Sequence, residues 1–322
     1  MPRNLMRKIL FGLVWLGVVL AACQHTPEAT QAPATTTMVP TATALPSPTP
    51  TATPAPPTAV LWAGPEAAPA LRDPAWAWVQ SLAQDQGFVP LQRQPGEDLP
   101  PNVQVIVAVE AAPPNTDARI LAIAPPSEVE EAVQKLDPTP ADLAHRAFLA
   151  GYLSAVITKD WRIAMLATEN EAQAAQAFED GGRYFCGLCR PLYPPFVVYP
   201  AYALLPPESD AAAWQAAVQR LQAAAVHTFV LSPKAMQANV AQDLPNNVVL
   251  IALDNPEDPT RYAASIAADV QAGLDALWQD PALASTPVPM RLDVYDSGAI
   301  SPGRQRLAEE VMHDLEAGFI AP

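Results

Sequence analysis

Two groupings in this 322-residue chain have chemistry to offer: Cys186-Gly187-Leu188-Cys189, and Asp254-Asn255 at the end of an apolar run. Cys-x-x-Cys serves as a redox pair when the first thiolate sits at a helix N-terminus. In an oxidising compartment it is equally a local structural disulfide. Arg190-Pro191-Leu192-Tyr193-Pro194-Pro195 follows and cannot open a long helix, which favours the disulfide. A zinc site would need two more ligands, and His25, His145, His227 and His313 are scattered, so no metal is expected. The Asp254 carboxylate, at the carboxyl end of a predicted strand, either accepts hydrogen bonds from sugar hydroxyls or caps a turn before Pro256. Trp62 ends another predicted strand, where it stacks on a planar ligand or packs into a core. Glu110 and Glu169 end strands in the two halves and face a cleft or lie in solvated loops. Phe178, on a predicted helix, reads as core, with a place beside a ligand as the other reading. No Gly-x-Ser-x-Gly elbow, Walker loop, dinucleotide fingerprint or His-Glu-x-x-His occurs, so neither a catalytic residue nor a cofactor is expected.

The elements that must position these residues alternate short apolar runs with longer helical stretches, the signature of parallel sheets with crossover helices. Strands are predicted at 59–64, 88–91, 103–109 and 119–124, with helices over 74–86 and 139–158. Thr139 or Asp142 caps the second helix. The unit then repeats. Strands are predicted at 161–166, 195–199, 227–231, 248–253 and 290–295, with helices over 170–178, 209–225, 233–242, 260–278 and 302–317. Two βα-repeating halves imply an α/β fold of two doubly wound lobes of the type I periplasmic binding protein kind. Lobe 1 is expected over about 59–158 plus a later segment, and lobe 2 over about 159–280. Ligands of such sheets gather at the carboxyl ends of the strands.

The amino-terminal segment bears on location. Arg3, Arg7 and Lys8 precede an apolar run, Ile9 to Leu20, that falls short of the ~20 residues a bilayer span needs. That pattern is an export signal over residues 1–22. Leu20-Ala21-Ala22-Cys23 resembles a bacterial lipobox, in which the cysteine takes a diacylglycerol and becomes the new N-terminus. Residues 23–58 are rich in Thr, Pro and Ala, with no aromatic side chain to build a core. At ~3 Å per residue such a tether reaches up to roughly 100 Å. The formal charge of −15 becomes more negative once the three basic residues of the signal are removed. Nucleic acid is excluded as a partner on that ground.

Several stretches resemble the basic-membrane-protein family of lipoproteins, the purine-nucleoside-receptor type of substrate-binding component in ABC transporters. They are Phe148-Leu149-Ala150-Gly151-Tyr152-Leu153 with Thr158-Lys159 and the strand WRIAML, Ala177-Phe178-Glu179-Asp180-Gly181-Gly182, Ile251-Ala252-Leu253-Asp254-Asn255, and Leu315-Glu316-Ala317-Gly318-Phe319-Ile320. Their order and spacing carry the resemblance over residues 59–322. Two departures accompany it. Gly64-Pro65-Glu66-Ala67-Ala68-Pro69 stands where the family has an aspartate-x-serine-phenylalanine-asparagine loop. Ala263-Ala264-Ser265-Ile266-Ala267 lacks the family's lysine.

The resemblance implies a solute-binding lipoprotein on the extracytoplasmic face of the cell membrane. It would bind a small, nucleoside-like molecule between its lobes and hand it to an ABC permease. An exported thiol-disulfide protein using Cys186 and Cys189 is the alternative from another class, and a solute-sensing receptor domain is a third. If Cys23 is the lipid attachment point, Cys23→Ser moves the protein from the membrane to the soluble fraction and leaves the domain folded. Cell fractionation checks this, and membrane association persisting in high salt would contradict it.

Overall fold

The structure is a computed structural model and describes residues 55–126 and 133–322. The expected signal segment, Cys23 and nearly all of the tether lie outside the described residues. Two six-stranded sheets organise the rest. The first has the order β11-β5-β4-β3-β1-β2, all parallel. Its strands are β1 (Thr58–Ala63), β2 (Val89–Arg93), β3 (Val103–Val109), β4 (Arg119–Ile123), β5 (Gln134–Asp137) and β11 (Ser285–Pro287). The second has the order β12-β10-β9-β8-β6-β7, from β6 (Ile163–Thr168), β7 (Ala201–Leu205), β8 (Thr228–Leu231), β9 (Val249–Ala252), β10 (Ala264–Ala268) and β12 (Met290–Val294). Only its edge strand β12 runs antiparallel. The helices are α1 (Pro69–Gln86), α2 (Leu143–Ile157), α3 (Ala172–Phe185), α4 (Ala211–Ala223), α5 (Pro233–Gln237), α6 (Val270–Gln279) and α7 (Pro302–Glu316).

Some expectations change. The helix expected over 260–278 is split: Ala264–Ala268 is a strand, and the helix starts only at Val270. Alanine favours helix in isolation, but β10 lies between β9 and β12 with residues 264–267 fully covered, and that burial overrides propensity. The strand expected over 195–199 is irregular, and β7 begins at Ala201. Pro194, Pro195 and Pro200 supply no N–H to a ladder there. β5 and β11 escaped prediction because QKLD and STP show no apolar alternation.

The first sheet also departs from helix-linked winding. Nine residues (110–118) carry the chain from the carboxyl end of β3 back to the amino end of β4 without a helix. At ~3.3–3.6 Å per residue they reach about 30 Å, enough to retrace a seven-residue strand of roughly 23 Å. The proline-rich sequences 95–101 and 113–114 suit such extended returns.

The chain passes between the sheets three times, and every passage joins carboxyl edges. β5 ends at Asp137 and leads to the N-cap of α2 at Asp142, whose side chain accepts the His145 N–H at 2.9 Å. β10 leads through Asp269 into α6, and β11 through Val288 and Pro289 into β12. Val288 N–H donates to the Asp137 carbonyl at 2.7 Å, and Asp269 N–H to the Pro289 carbonyl at 2.8 Å, so the passages are bonded to one another. α2 packs on α3, β8 and β10 of the second sheet. α6 packs on α1, β5 and β11 of the first. The chain therefore changes sheets near 138 and 269, before α2 and α6, where the sequence reading drew its boundaries after them at 158 and 280.

α2 is apolar on nearly every side and is buried accordingly. It meets α3 so closely that a Cβ at Gly151 would lie 2.0 Å from the Phe178 carbonyl oxygen, and one at Gly181 1.9 Å from the Phe148 carbonyl oxygen. The FLAGYL and AFEDGG stretches are thus the two halves of one crossing, each glycine admitting the other helix's backbone. Gly151→Ala or Gly181→Ala forces the helices apart, an overpacking cost of ~1–3 kcal/mol, or roughly 2–12 °C in melting temperature for a domain of this size. The double variant should lose less than the sum, because one displacement relieves both contacts. Gly303→Ala, with open space around its Cβ, serves as the control. Melting temperatures unchanged by either crossing variant would contradict the packing.

Candidate functional site

At the carboxyl edge of the second sheet, β6, β8 and β9 are each followed by polar residues, and those after β6 and β8 are held by one another. Glu171 is the centre of this edge. Its Oε2 accepts from Thr168 N–H at 2.8 Å, Thr168 Oγ1 at 3.0 Å and Ser232 Oγ at 2.7 Å, while Oε1 takes Lys234 N–H at 3.3 Å. One carboxylate thereby joins the ends of β6 and β8. Thr168-x-x-Glu171 is a capping box, a spacing legible in sequence, and Glu171 was not among the expected site residues. Glu169 itself is exposed at the start of the 3₁₀ turn that precedes α3.

Asp254 and Asn255 follow β9. Asp254 Oδ1 accepts the N–H of the next residue, Asn255, at 2.8 Å, which leaves Oδ2 for another donor. Asn255 Oδ1 accepts from Arg291 Nη2 at 2.6 Å, and Arg291 also bonds Asp293 at 2.8 Å and faces Asp269 at 3.7 Å. Burial pulls the Arg291 guanidinium down and these acids more than offset it, so its pKa ends above the ordinary value.

Arg146, which sequence reasoning missed, stands behind Asp254. It is 8% exposed and donates through Nη1 to the Leu253 carbonyl at 2.5 Å. Burial lowers its pKa, with the Asp254 and Asp142 carboxylates acting the other way. The arrangement is a buried cation beneath a half-buried carboxylate at a strand end. It pins the β9 terminus and leaves Asp254 facing outward.

Asp254 and Asn255 line a cavity of about 530 Å³ with Met236, Gln237, Glu257 and Arg261. All its walls come from the second-sheet side: α5 and the turn after it on one side, and the return from β9 to β10 on the other. Arg261 fixes that return by donating to the Ala241 and Leu244 carbonyls at 3.0 and 2.8 Å. Asp258 holds the turn by accepting from Thr260, and those hydrogen bonds keep its carboxyl below the usual range.

The other sequence candidates do not join this cavity. Trp62 is buried among Val60, Ile106 and Ala108 and spends its indole N–H on the Ala112 carbonyl at 3.1 Å, the packing alternative. Glu110 ends β3 with φ at 49° and accepts Ala68 N–H at 2.7 Å, tying that edge to the start of α1. Phe178 is fully buried between α2 and α3. Cys186 and Cys189 form a disulfide at the carboxyl end of α3, far from the helix N-terminus that would activate a thiolate.

No family profile matches this chain, and no curated protein matches it in sequence. Solved structures do match its fold. A transcriptional activator of the comK gene from Bacillus halodurans aligns at a TM-score of 0.57 and 11% identity, covering 81% of this chain and 98% of that one. An ABC transporter solute-binding protein from Aeropyrum pernix K1 aligns at 0.51 and 13%, covering 82% and 93%. The fold is that of the type I periplasmic binding proteins.

The two glutamates make a clean comparison. Glu171→Ala strands the Thr168 N–H and Ser232 Oγ and should cost ~2–4 kcal/mol, given ~1.5–3 kcal/mol for a hydrogen bond to a charged group. Glu169→Ala, at an exposed position, should stay within about 0.5 kcal/mol of wild type. Urea midpoints read both, and equal losses would overturn the assignment.

Proposed function

We propose that this chain is a lipid-anchored, extracytoplasmic solute-binding protein of an ABC-type importer, closing two lobes on a small polar solute. The observation that carries this is the triple passage. Three segments, the β11–β12 passage hydrogen-bonded to each of the other two, join the carboxyl edges of two largely parallel sheets, which makes a hinge with both ligand-gathering edges on the same side. Short segments of this kind absorb the dihedral change of closure while the packed sheets move as units. The fold shared with an ABC solute-binding protein supports the assignment to import. Attachment to the bilayer through Cys23 follows from the lipobox, and the permease as partner follows from the family resemblance.

The solute class rests on that resemblance and on the site's composition. Asp254, with Arg146 buried behind it, is a hydroxyl acceptor at a strand end, and the Asn255 amide beside it adds a donor. Carboxylate and amide together suit the ribose of a nucleoside. Trp62 is buried, so a ring must find its stacking surface elsewhere.

A charge-assisted hydrogen bond in a closed cleft is worth ~1.5–3 kcal/mol, so Asp254→Ala should weaken binding roughly ten- to a hundredfold. Nucleosides, nucleobases and sugars are screened by thermal shift, since a solute that binds only the folded state must raise its melting temperature. A hit bound equally well by Asp254→Ala overturns the site. A panel with no hit overturns the solute class.

A further inference from the structure

Between α3 and β7 the chain makes a loop that turns its apolar side chains outward. Leu188 is 95% exposed, Leu192 72%, Tyr193 75%, Phe196 70% and Val198 70%. Soluble domains scatter such residues singly, and a contiguous set marks a contact. The base of the loop is firmly held. Cys186 and Cys189 are bonded. Arg162 donates to the Tyr193 carbonyl at 2.5 Å, and Trp161 lies 6.4 Å from Phe185 and 5.8 Å from Tyr199. Tyr199 is buried, donates to the Gly182 carbonyl at 3.0 Å, and has its phenol pushed up to about 12 by burial, so it stays a donor at ordinary pH. The exposed tip is therefore presented on a fixed frame, and binding through it costs little ordering.

We infer that this loop inserts into the headgroup and acyl boundary of an anionic bilayer, resting on the lipid-anchored reading above. Three observations select lipid over a folded partner. The apolar side chains project from a loop and line no groove, so they suit a fluid medium that needs no matching shape. Their chemistry is interfacial: leucine and phenylalanine with tyrosine, flanked by the exposed cations Arg190 and Lys159, which have no ion-pair partner among the described residues. No acid occurs from Gly181 to Pro207, in a chain with 33 acidic residues against 18 basic ones, so the loop meets anionic headgroups without the repulsion the rest of the surface would feel. The sequence before β1 also brings a bilayer within reach. On the lipid-anchored reading, a Thr-, Pro- and Ala-rich tether of this length would reach up to roughly 100 Å, and the loop would draw the domain down from the end of that reach. It lies at the amino end of β6 and β7, so insertion leaves the carboxyl edges, and any solute there, clear of the lipid.

The test uses the full chain mixed with vesicles of phosphatidylcholine containing about a third phosphatidylglycerol. Flotation reports attachment, and hydrogen exchange reports the loop. Peptides covering 186–199 should exchange about tenfold more slowly in the wild type than in Leu188→Ser or Phe196→Ser, each of which removes one buried apolar side chain. All other peptides should exchange alike in the three chains, which establishes that the variants fold. A chain that floats with its loop exchanging at the variants' rate overturns the insertion and leaves the anchor standing. A chain that does not float overturns both. Protection that rises with protein concentration and ignores lipid identifies a second copy as the occupant and overturns the insertion.

Discussion

Two backbone hydrogen bonds, from Val288 N–H to Asp137 and from Asp269 N–H to Pro289, hold three chain passages together between the sheets. The proposed function depends on that junction. A single passage would let the sheets drift, whereas three passages tied together would, on that proposal, restrict them to closing and opening about one line. Because each passage leaves or enters a carboxyl edge, the polar residues at and just beyond the strand ends lie on the side where the chain crosses. Glu110 on one edge, and Thr168, Ser232 and Asp254 on the other, reach that side for this reason and share no sequence motif.

The edges themselves are built by carboxylates bonded to the protein's own backbone. Glu110 holds the start of α1, Glu171 joins β6 to β8, and Asp254 accepts the N–H of the next residue after β9. Such bonds fix where the strand ends lie, and fixed edges are what the proposed closure on a solute would need. The buried Arg146 shows the same economy. Its cost of burial is offset by the Leu253 carbonyl and by the field of Asp254 and Asp142, and it sets the position of the strand end whose carboxylate faces the cavity.

Much of this was legible in sequence. The βα alternation gave two wound lobes, and Asp142 was recognisable as a helix cap. Phe148-Leu149-Ala150-Gly151 and Phe178-Glu179-Asp180-Gly181 stood out by resemblance, and the structure supplies the reason in their reciprocal close contact. What escaped has physical causes. β10 is alanine-rich and became a strand only because its neighbours bury it. β5 and β11 are short, and a proline marks β11 as an edge. Trp62 could not be assigned from its strand position alone, since burial depends on the returns that cover the face of the first sheet. Glu171 escaped because a strand-end position points to Glu169, whereas the capping-box spacing from Thr168 points to Glu171.

The central claim is closure of the two edges on a solute. Fluorescent labels at exposed positions on either edge, Glu66→Cys and Asn170→Cys, report their separation by energy transfer. In the presence of saturating nucleosides, nucleobases and sugars the account predicts that transfer rises as the edges approach. Transfer unchanged by a solute that demonstrably binds would contradict it.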